Sequence, residues 1–484
     1  MKSLVLHIKK NWPLYILIVA SIFLFFFHLD YNTITSWDEG WYASIARDIV
    51  RSGDFMNLNW NGKPFYDHPP MGFWLMAITY KFFGINEFST RFPSAILGVL
   101  SMILVYKVGE AISKSKAVGF SSALILMTSV WYLIRVRSGN LDSPFIFFYI
   151  LTICLSLKSE KDFRWFPVTM LSFGALVMTK TLIGISAGPI IFLLIWRQLL
   201  SAKKNIGYFI AGIAGFWLVV YPWYHYHIQM YPDFIEHHFF NIGMRDKTLA
   251  SYFQLSWEQP LFYIHMGVRK WYKMWLLLAA YLIIRLSFLK KYIFILLLWN
   301  IAVLYPFLTS TKTELWHLIP VYLPLSFIIS IGLLDLFTLG TKILTHIPYF
   351  KKIKLTLLPE ISLVIVILII AFFQMKTFYK EVYPASKYIP DDVEISKEAG
   401  RFNENVYLDD DYTPLAVFYA DRQITNVGTL PDDRRTLEKL IQSDEKNYVV
   451  IARNWAVEDL KKKNIPFKLL KRNNTFSILT KSSL

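Results

Sequence analysis

Two acidic sites lie where this chain changes from polar to strongly apolar sequence. Asp38 and Glu39 follow Trp37 soon after the first apolar segment, and Asp142 begins a later one. A carboxylate in such a position can accept the proton of an attacking hydroxyl group, which makes it a candidate general base. It can equally cap a helix, because the positive end of the helix dipole stabilises its charge. Capping does not exclude catalysis, so both interpretations stay open.

Cationic residues accompany these acids at the predicted membrane surface. Lys180 lies between two apolar segments joined by almost no loop, and Lys312 and His317 lie in the sequence Ser310-Thr-Lys-Thr-Glu-Leu-Trp-His317. A lysine at this depth can extend its ammonium group to the interface without any further function. Alternatively it binds an anion, and a lipid phosphate is the natural anion there. The same two interpretations apply to Lys312 and His317.

A proline-containing segment carries a further candidate. His68 lies in the sequence Tyr66-Asp-His-Pro-Pro-Met71, where the two prolines restrict the backbone. Asp67 and His68 are a candidate pair for a metal ion or a phosphate, and a solvated turn is the competing interpretation. His237 and His238 are adjacent, so they would point apart on a helix and chelate poorly. They are not predicted to be metal ligands.

The elements that must position these residues are membrane helices. The chain has 484 residues, of which 55% are hydrophobic and only 18% are charged. A soluble protein carries more charge, and long apolar segments cross a bilayer as helices because helices satisfy their own backbone groups. Eleven spans are predicted, at residues 12–29, 93–112, 117–134, 142–157, 166–181, 183–199, 206–225, 271–286, 292–309, 316–337 and 359–376. If one pair of helices has been missed, the number of spans is thirteen.

The charges between the spans predict their orientation. Short connections on one side are all basic, as the positive-inside rule requires of cytoplasmic loops. The N-terminus is therefore expected in the cytoplasm and the C-terminal tail outside, and the first apolar segment is expected to be an uncleaved helix. The net charge of +16 follows this topology, so no nucleic-acid partner is expected. The basic connections are 107–117, 158–164, 197–204, 285–291 and 342–354.

Two domains are predicted. Residues 1–384 form a membrane domain with a long first outer loop at 30–92, and residues 385–484 form a small soluble α/β domain. A second long outer segment covers residues 226–270. Apolar runs of strand length and one helix-like stretch identify the tail as α/β. These are Asn405 to Leu408, Tyr448 to Ile451 and, for the helix, Arg434 to Ile441.

Two amphipathic helices are expected within the first outer loop. One ends near Gly53 and the other runs from about Met71 to Phe83. Helices of this type suit the membrane–water interface. The apolar face of the first consists of Tyr42, Ile45, Ala46 and Ile49, and Arg47, Asp48 and Arg51 lie off that face.

Short motifs follow one another in a specific order along the first outer loop. They are Trp37-Asp-Glu-Gly-Trp-Tyr-Ala43, Gly53-Asp-Phe55, Gly62-Lys-Pro-Phe-Tyr-Asp-His-Pro-Pro-Met71, Phe83-Gly84 and Arg91-Phe-Pro-Ser94. Later segments agree, namely Arg137 to Pro144, Thr179-Lys180-Thr181, and Ser310 to His317 with Pro320 and Pro324. The series resembles the bacterial GT-C glycosyltransferases that use polyprenyl-phosphate sugars. This group (glycosyltransferase family 39 and relatives) includes the lipid A aminoarabinose transferases and the protein O-mannosyltransferases.

The resemblance extends over about residues 10–340 and implies a specific architecture and site. The fold would be an all-α polytopic GT-C membrane domain of 11–13 helices with outer-face amphipathic helices, followed by the α/β domain. By position, Asp38 would lie beside the acceptor, with Glu39 as its motif neighbour and Asp142 as a second acidic site. The expected donor-phosphate residues are Lys180, Arg137, His68, Lys312 and His317, and the expected acceptor or loop residues are Tyr42 and Arg245.

One position departs from the aminoarabinose transferases. They carry a lysine where this chain has His68, which puts that particular sugar in doubt, although a histidine fits the wider group. No cofactor is certain. A divalent cation is left open, with Asp38 and His68 as candidate ligands.

The predicted reaction is inverting transfer of a sugar from a polyprenyl-phosphate donor. Asp38 would take the proton of an acceptor hydroxyl, while Lys180 and Arg137 stabilise the departing phosphate. The donor is already activated, and the sequence contains no P-loop or Rossmann fingerprint. The acceptor is a lipid A-type glycolipid or a protein, with a surface polysaccharide also open. The expected location is the bacterial inner membrane.

Two other classes of protein compete with this interpretation. A transporter or flippase of a lipid-linked sugar would show repeated halves and polar groups near the bilayer midplane, and neither is clear in the sequence. A structural membrane protein whose tail binds envelope partners would leave the motifs of the first outer loop unexplained.

Overall fold

The structure is a computed structural model that describes residues 2–34, 37–180, 182–244, 253–285, 290–310, 313–346 and 356–482. The chain divides into two compact units. The first contains Met1–Phe27, Tyr66–Gly72 and Arg91–Tyr383, and the second contains His28–Phe65, Phe73–Thr90 and Pro384–Leu484. Most of the first outer loop therefore belongs to the same unit as the C-terminal tail.

Helices account for most of the chain. Those up to residue 382 are α1 (Lys2–Phe26), α2 (Trp37–Ser52), α3 (Met71–Phe83), α4 (Glu87–Ser113), α5 (Lys116–Met127), α6 (Val130–Val136), α7 (Asp142–Lys161), α8 (Phe166–Val177), α9 (Ala187–Leu200), α10 (Ala202–Met230), α11 (Glu258–Val268), α12 (Trp271–Ile284), α13 (Lys291–Leu308), α14 (Tyr322–Thr345) and α15 (Leu358–Val382). A π-helix, Glu236–Met244, lies between α10 and α11.

The prediction of a multi-span membrane protein is confirmed. Among the described residues, seven helices are long and apolar enough to cross a membrane. Each of the eleven predicted spans contains a helix, but three of these are shorter apolar helices, Asn11–Phe26, Phe163–Val177 and Trp271–Ile284. The seven are Glu87–Ser113, Asp142–Lys161, Leu182–Leu200, Asn205–Met230, Lys291–Leu308, Leu315–Thr345 and Leu358–Val382.

The predicted span 117–134 is not one straight helix. It consists of α5 and α6, which are bent by 74°. Thr128 Oγ1 donates to the carbonyl of Leu124 at 2.7 Å, and Ser129 Oγ donates to that of Ile125 at 2.9 Å. Ser129 then adopts extended backbone angles, φ −71° and ψ 123°. Hydroxyl groups that bond back to helix carbonyls favour such bends.

The second unit contains a sheet of five strands, β3 (Asn405–Asp409), β4 (Ile424–Asn426), β5 (Tyr448–Arg453), β6 (Phe467–Arg472) and β7 (Phe476–Lys481), in the order β4-β3-β5-β7-β6. Strands β4, β3 and β5 are parallel, and β7 and β6 extend the sheet in antiparallel pairs. Buried side chains on both faces, among them Val406, Ile451 and Val450, form its core. A two-stranded pair joins β1 (Asn59–Trp60) to β2 (Lys63–Pro64). The helices of the tail are α16 (Asp391–Ala399), α17 (Thr413–Ala420), α18 (Leu437–Gln442) and α19 (Asn454–Lys462).

The predicted elements of the tail are largely confirmed. Both predicted strands occur, as β3 and β5, and the tail is an α/β fold. The helix expected from Arg434 begins later, at Leu437. The reason is the N-terminal cap, since the Thr436 side chain accepts from the Lys439 amide at 3.3 Å.

Both helices predicted within the first outer loop occur, as α2 and α3. Helix α2 stops where expected, because Gly53 has φ +72° and its amide donates to the Ile49 carbonyl at 3.0 Å. Arg47, which the helical spacing places off the apolar face, is nevertheless buried.

Candidate active site

The charged residues at the start of α7 form a buried cluster. Arg135 Nε donates to one oxygen of the Asp142 carboxylate, and Lys180 Nζ donates to the other. The Asp142 side chain is only 4% exposed. A buried charge is costly unless it is paired and hydrogen-bonded. Both carboxylate oxygens have a cationic donor, so Asp142 meets that requirement.

Local sequence explains why these groups meet. Arg135 lies in the last turn of α6, and a short reversal follows before α7 begins. Asn140, which is fully buried, holds this turn: its Nδ2 donates to the Arg135 carbonyl at 2.6 Å, and its Oδ1 accepts from the Asp142 amide at 2.7 Å. Asp142 does not cap α7, because the cap residue is Leu141 and no side chain caps the helix there.

The cluster pairs two residues that the sequence analysis treated separately, Asp142 and Lys180. The sequence suggested Asp142 as an acid and Lys180 as a phosphate ligand, without pairing them, and the structure brings them together. Arg135 was not assigned a role. A lone arginine in the last turn of the otherwise apolar α6 was the available signal. Its guanidinium carbon also lies 5.3 Å from the centre of the Trp316 ring.

Lys180 is the accessible member of the cluster. Its side chain is 15% exposed, against 4% for Asp142. An ammonium group has three donors, and one of them is directed at Asp142. The cation is thus held by a buried carboxylate while part of it still faces outward.

The residues that follow Lys180 in the chain line an apolar groove, the first of them being Leu182. The volume of the groove is about 560 Å³, and most of its lining residues are apolar. The groove lies between the segment after Lys180, the end of the π-helix and α13. Its lining residues are Leu182, Ile183, Ile185, Ser186, Pro189, Gly243, Met244, Leu298, Ile301, Ala302, Tyr305, Pro306, Phe307 and Ser310.

Arg137 has a different environment from Arg135. Its Nη1 donates to the carbonyls of Leu24 and Phe25 at 2.9 and 3.1 Å. Its guanidinium carbon lies 4.6 Å from the centre of the Tyr383 ring. Arg137 therefore joins the end of α1 to the turn before α7, and its phosphate role stays a prediction.

The segment Tyr66–Gly72 is fixed to the second outer segment. Tyr66 donates to Asp233 at 2.7 Å, and Asp67 Oδ1 lies 2.6 Å from His237 Nε2. Burial, followed by the bond to Asp233, raises the pKa of Tyr66 to about 12. Both contacts hold the backbone just before the half-buried His68. A phosphate or metal role for His68 stays a prediction.

His238 is fully buried, with its ring centre 4.9 Å from that of Phe234 and 5.6 Å from that of Trp223. Its Nδ1–H donates to the Tyr66 carbonyl at 2.7 Å, and its Nε2 lies 3.3 Å from the Tyr224 hydroxyl, which can donate to it. Burial lowers the pKa of His238 from 6.5 to about 4, with smaller contributions from His227 and His237. The imidazole is therefore neutral at physiological pH.

This neutral histidine predicts acid sensitivity. Below pH 6.5 the unfolded chain takes up a proton at His238 while the folded chain does not, until about pH 4. The free energy of unfolding should therefore fall across that window, by an amount on the order of 3 kcal/mol for this residue. Denaturant unfolding of the detergent-solubilised protein between pH 7 and pH 4 measures this fall. His238→Gln should flatten the dependence, and replacing the exposed His265 by glutamine should not. Equal slopes in both variants would contradict the assignment.

The acidic motif of the first outer loop lies in the first turn of α2. Asp38 is partly exposed, whereas Glu39 is only 2% exposed. Burial raises the pKa of Tyr80 and of Tyr419, with a smaller contribution from Glu39 in both cases and a larger one from Glu87 at Tyr419. The two acids thus differ in environment, since Asp38 is half-buried and Glu39 is almost fully buried. Tyr42 is buried, with its ring centre 5.3 Å from that of Phe73.

Three candidate site residues remain, His317, Lys312 and Arg245. His317 Nδ1 accepts from the Glu314 amide at 2.9 Å, and its ring lies parallel to that of Phe307. Lys312 and Arg245 lie outside the described residues. Within the described ranges, no three His, Cys, Asp or Glu side chains come together as a set that could hold a metal ion.

Parts of this chain are similar in sequence to a known protein family and to several known proteins. Residues 67–225 match the model of the family described as dolichyl-phosphate-mannose-protein mannosyltransferase. An uncharacterised protein of Aquifex aeolicus is 26% identical over 70% of this chain and 80% of its own length. The undecaprenyl phosphate-alpha-4-amino-4-deoxy-L-arabinose arabinosyl transferase of Pseudomonas savastanoi is 27% identical over 48% of this chain. That match spans 44% of the transferase, less than half of its length.

Solved structures share the fold. ArnT from Cupriavidus metallidurans bound to undecaprenyl phosphate matches with a TM-score of 0.70 and 14% identity, covering 97% of this chain and 98% of its own. The oligosaccharyltransferase of Archaeoglobus fulgidus matches with a TM-score of 0.59 and 11% identity, covering 92% and 70%. The predicted GT-C fold is thus confirmed. The sequence matches confirm the predicted resemblance to glycosyltransferases that use lipid-phosphate sugars.

Proposed function

We propose that this chain is an inverting glycosyltransferase of the membrane, which moves a sugar from a polyprenyl-phosphate donor to an acceptor of the cell envelope. The acceptor group is a hydroxyl or a phosphate. A lipid A-type glycolipid is the favoured acceptor, and a protein is the second candidate. The observation that carries the proposal is the partly exposed Lys180 held by the buried Asp142, in a chain with the fold of the ArnT structure bound to undecaprenyl phosphate.

Lys180 is proposed to bind the donor phosphate. The charge on the phosphate grows as its bond to the sugar breaks, so a fixed cation stabilises the transition state more than the ground state. Asp142 holds the ammonium group in place, which means that little reorganisation is needed during the reaction. Arg137, His68, Lys312 and His317 stay proposed partners of the same phosphate.

The groove that begins at Leu182 is proposed to hold the lipid tail of the donor. A polyprenyl chain is purely apolar, so an apolar lining accommodates it without leaving buried polar groups unpaired. Most of the residues that line the groove are apolar, and the first of them, Leu182, follows Lys180 by two positions in the chain. A phosphate at Lys180 and an apolar tail in this groove match the two parts of one amphipathic donor.

Asp38 is proposed to be the general base. The acceptor oxygen forms a bond to the anomeric carbon as the bond from that carbon to the phosphate oxygen breaks. The electron pair of the broken bond stays on the lipid phosphate, and the acceptor proton passes to the carboxylate. The exposure of Asp38, compared with the burial of Glu39, supports this choice between the two acids.

The proposed location is the bacterial inner membrane. The N-terminus would lie in the cytoplasm and the C-terminal α/β fold outside, with transfer at the outer face. Basic connections between the predicted spans support this orientation.

Transfer can be tested directly. The purified protein in liposomes would be incubated with radiolabelled undecaprenyl-phosphate sugars together with lipid A or an envelope peptide extract. Label that moves to an acceptor supports the proposal, and the class of labelled product identifies the acceptor. Label that crosses the liposome membrane while still attached to its lipid would instead support a flippase.

Replacing Lys180 should weaken use of the donor. Lys180→Ala removes the ammonium group from the phosphate, and hydrogen bonds to charged groups are worth about 1.5–3 kcal/mol. That corresponds to an increase of roughly 10- to 100-fold in the donor KM or a matching loss in kcat/KM. Steady-state kinetics with varied donor concentration measure it. Lys270→Ala removes a lysine from an exposed site and serves as the control. Unchanged donor dependence in Lys180→Ala would remove this residue from the phosphate site.

A further inference from the structure

We infer that the C-terminal α/β fold positions helix α2 for catalysis, with α17 as the supporting element and Arg47 as the main positioning residue. The inference deepens the proposed function and rests on it, because α2 carries Asp38 and Glu39. All of the contacts that follow lie within the second compact unit.

Arg47 joins α2 to the C-terminal end of α17. Its side chain is only 4% exposed, and Nη1 donates to the carbonyls of Val417 and Phe418 at 3.1 and 3.0 Å. The same group lies 2.8 Å from Asp421 Oδ1. The last carbonyls of a helix have no partner within the helix and carry the negative end of its dipole, so a cation stabilises them. Arg47 thus completes the end of α17 while it holds α2.

Gly40 provides a second attachment near the start of α17. A Cβ atom at Gly40 would lie 3.0 Å from both the carbonyl carbon and the carbonyl oxygen of Pro414. The α2 backbone therefore packs directly against the α17 backbone, one residue after Glu39. A side chain at this position would push the helices apart by a few tenths of an ångström.

Tyr419 fixes the chain that leads into α2. Its hydroxyl accepts from the Ile34 amide at 2.6 Å and donates to Glu87 Oε1 at 3.0 Å. Burial raises the pKa of Tyr419, so the neutral hydroxyl can donate and accept at the same time. Tyr419 is the residue before the last of α17.

The two acids lie between these attachments. Ile34 is held before them, and Gly40 and Arg47 are held after them, all by residues of α17. A displacement of about 1 Å can lower turnover by about 100-fold when a catalytic group must meet a reacting atom. The C-terminal fold therefore sets the position of the carboxylates, which gives the tail a role in transfer.

Arg47→Ala tests this inference in the full-length enzyme. Per folded molecule, kcat should fall at least about tenfold while the donor KM changes less than about twofold. Hydrogen exchange of the α2 amides should accelerate, while exchange in α7 should not change. Arg47→Lys keeps a charge for Asp421 but loses the planar fork of donors, so it should recover only part of the turnover. Arg51→Ala is the matched control, because Arg51 pairs with the same Asp421 at 2.6 Å and is 49% exposed.

A second variant covers the case in which Arg47→Ala does not fold. Gly40→Ala displaces α2 without removing a charge and should lower kcat at an unchanged donor KM. Turnover and α2 exchange equal to wild type in Arg47→Ala or Gly40→Ala would overturn the inference. A loss of turnover that matches only the unfolded fraction would overturn it as well. If the wild-type protein transfers no sugar, the proposed function fails, and the exchange measurement still decides whether α17 holds α2.

Discussion

Asp142→Asn is expected to lower the free energy of unfolding by about 3–5 kcal/mol, because it leaves the buried Arg135 and the partly exposed Lys180 without their carboxylate. The asparagine keeps the size of the side chain but removes the charge that Arg135 and Lys180 share. Denaturant unfolding in detergent measures the loss. The donor KM should rise too, since Lys180 would no longer be held in one position.

The same helix provides the control. Asp162 follows the last residue of α7 and forms an ion pair with the exposed Arg164 at 2.7 Å. Asp162→Asn should change stability little, because exposed pairs contribute little. Combining Asp142→Asn with Lys180→Gln should recover part of the loss, since one stranded cation is removed as well. Equal stability of Asp142→Asn and Asp162→Asn would contradict the buried cluster.

Asp38→Asn is expected to reduce turnover by about 10²–10⁴-fold, which is the usual contribution of a general base. The amide cannot accept the proton of the acceptor hydroxyl, but it keeps the shape of the side chain. Binding of undecaprenyl phosphate should therefore be retained. Single-turnover transfer, together with binding of labelled undecaprenyl phosphate, separates the chemical step from donor binding.

Two further variants make this result specific. Asp30→Asn changes an exposed carboxylate of the same unit and should leave turnover unchanged. Glu39→Gln tests the neighbouring acid, whose buried position is consistent with support of α2 instead of proton transfer. Near wild-type turnover in Asp38→Asn, combined with loss of turnover in Glu39→Gln, would move the base to Glu39.

Features that depend on local sequence were predictable. A helix occurs in every predicted span because apolar segments must satisfy their backbone groups internally. The end of α2 at Gly53 and the strands β3 and β5 follow from residue type and periodicity. The bend after α5 was missed, because hydropathy does not register the bonds that Thr128 and Ser129 make to helix carbonyls.

The sequence by itself determined the class of fold, the tail as an α/β fold, and which charged residues are unusual for a membrane protein. Only the tertiary structure decided which of these charges pair. Lys180 meets Asp142 across 38 residues, and Arg47 reaches the α17 carbonyls across 370. Hydropathy and spacing describe one element at a time, whereas a buried ion pair depends on two elements packing together. For that reason Arg135 and Arg47 could not be assigned from sequence, although the helices that carry them could.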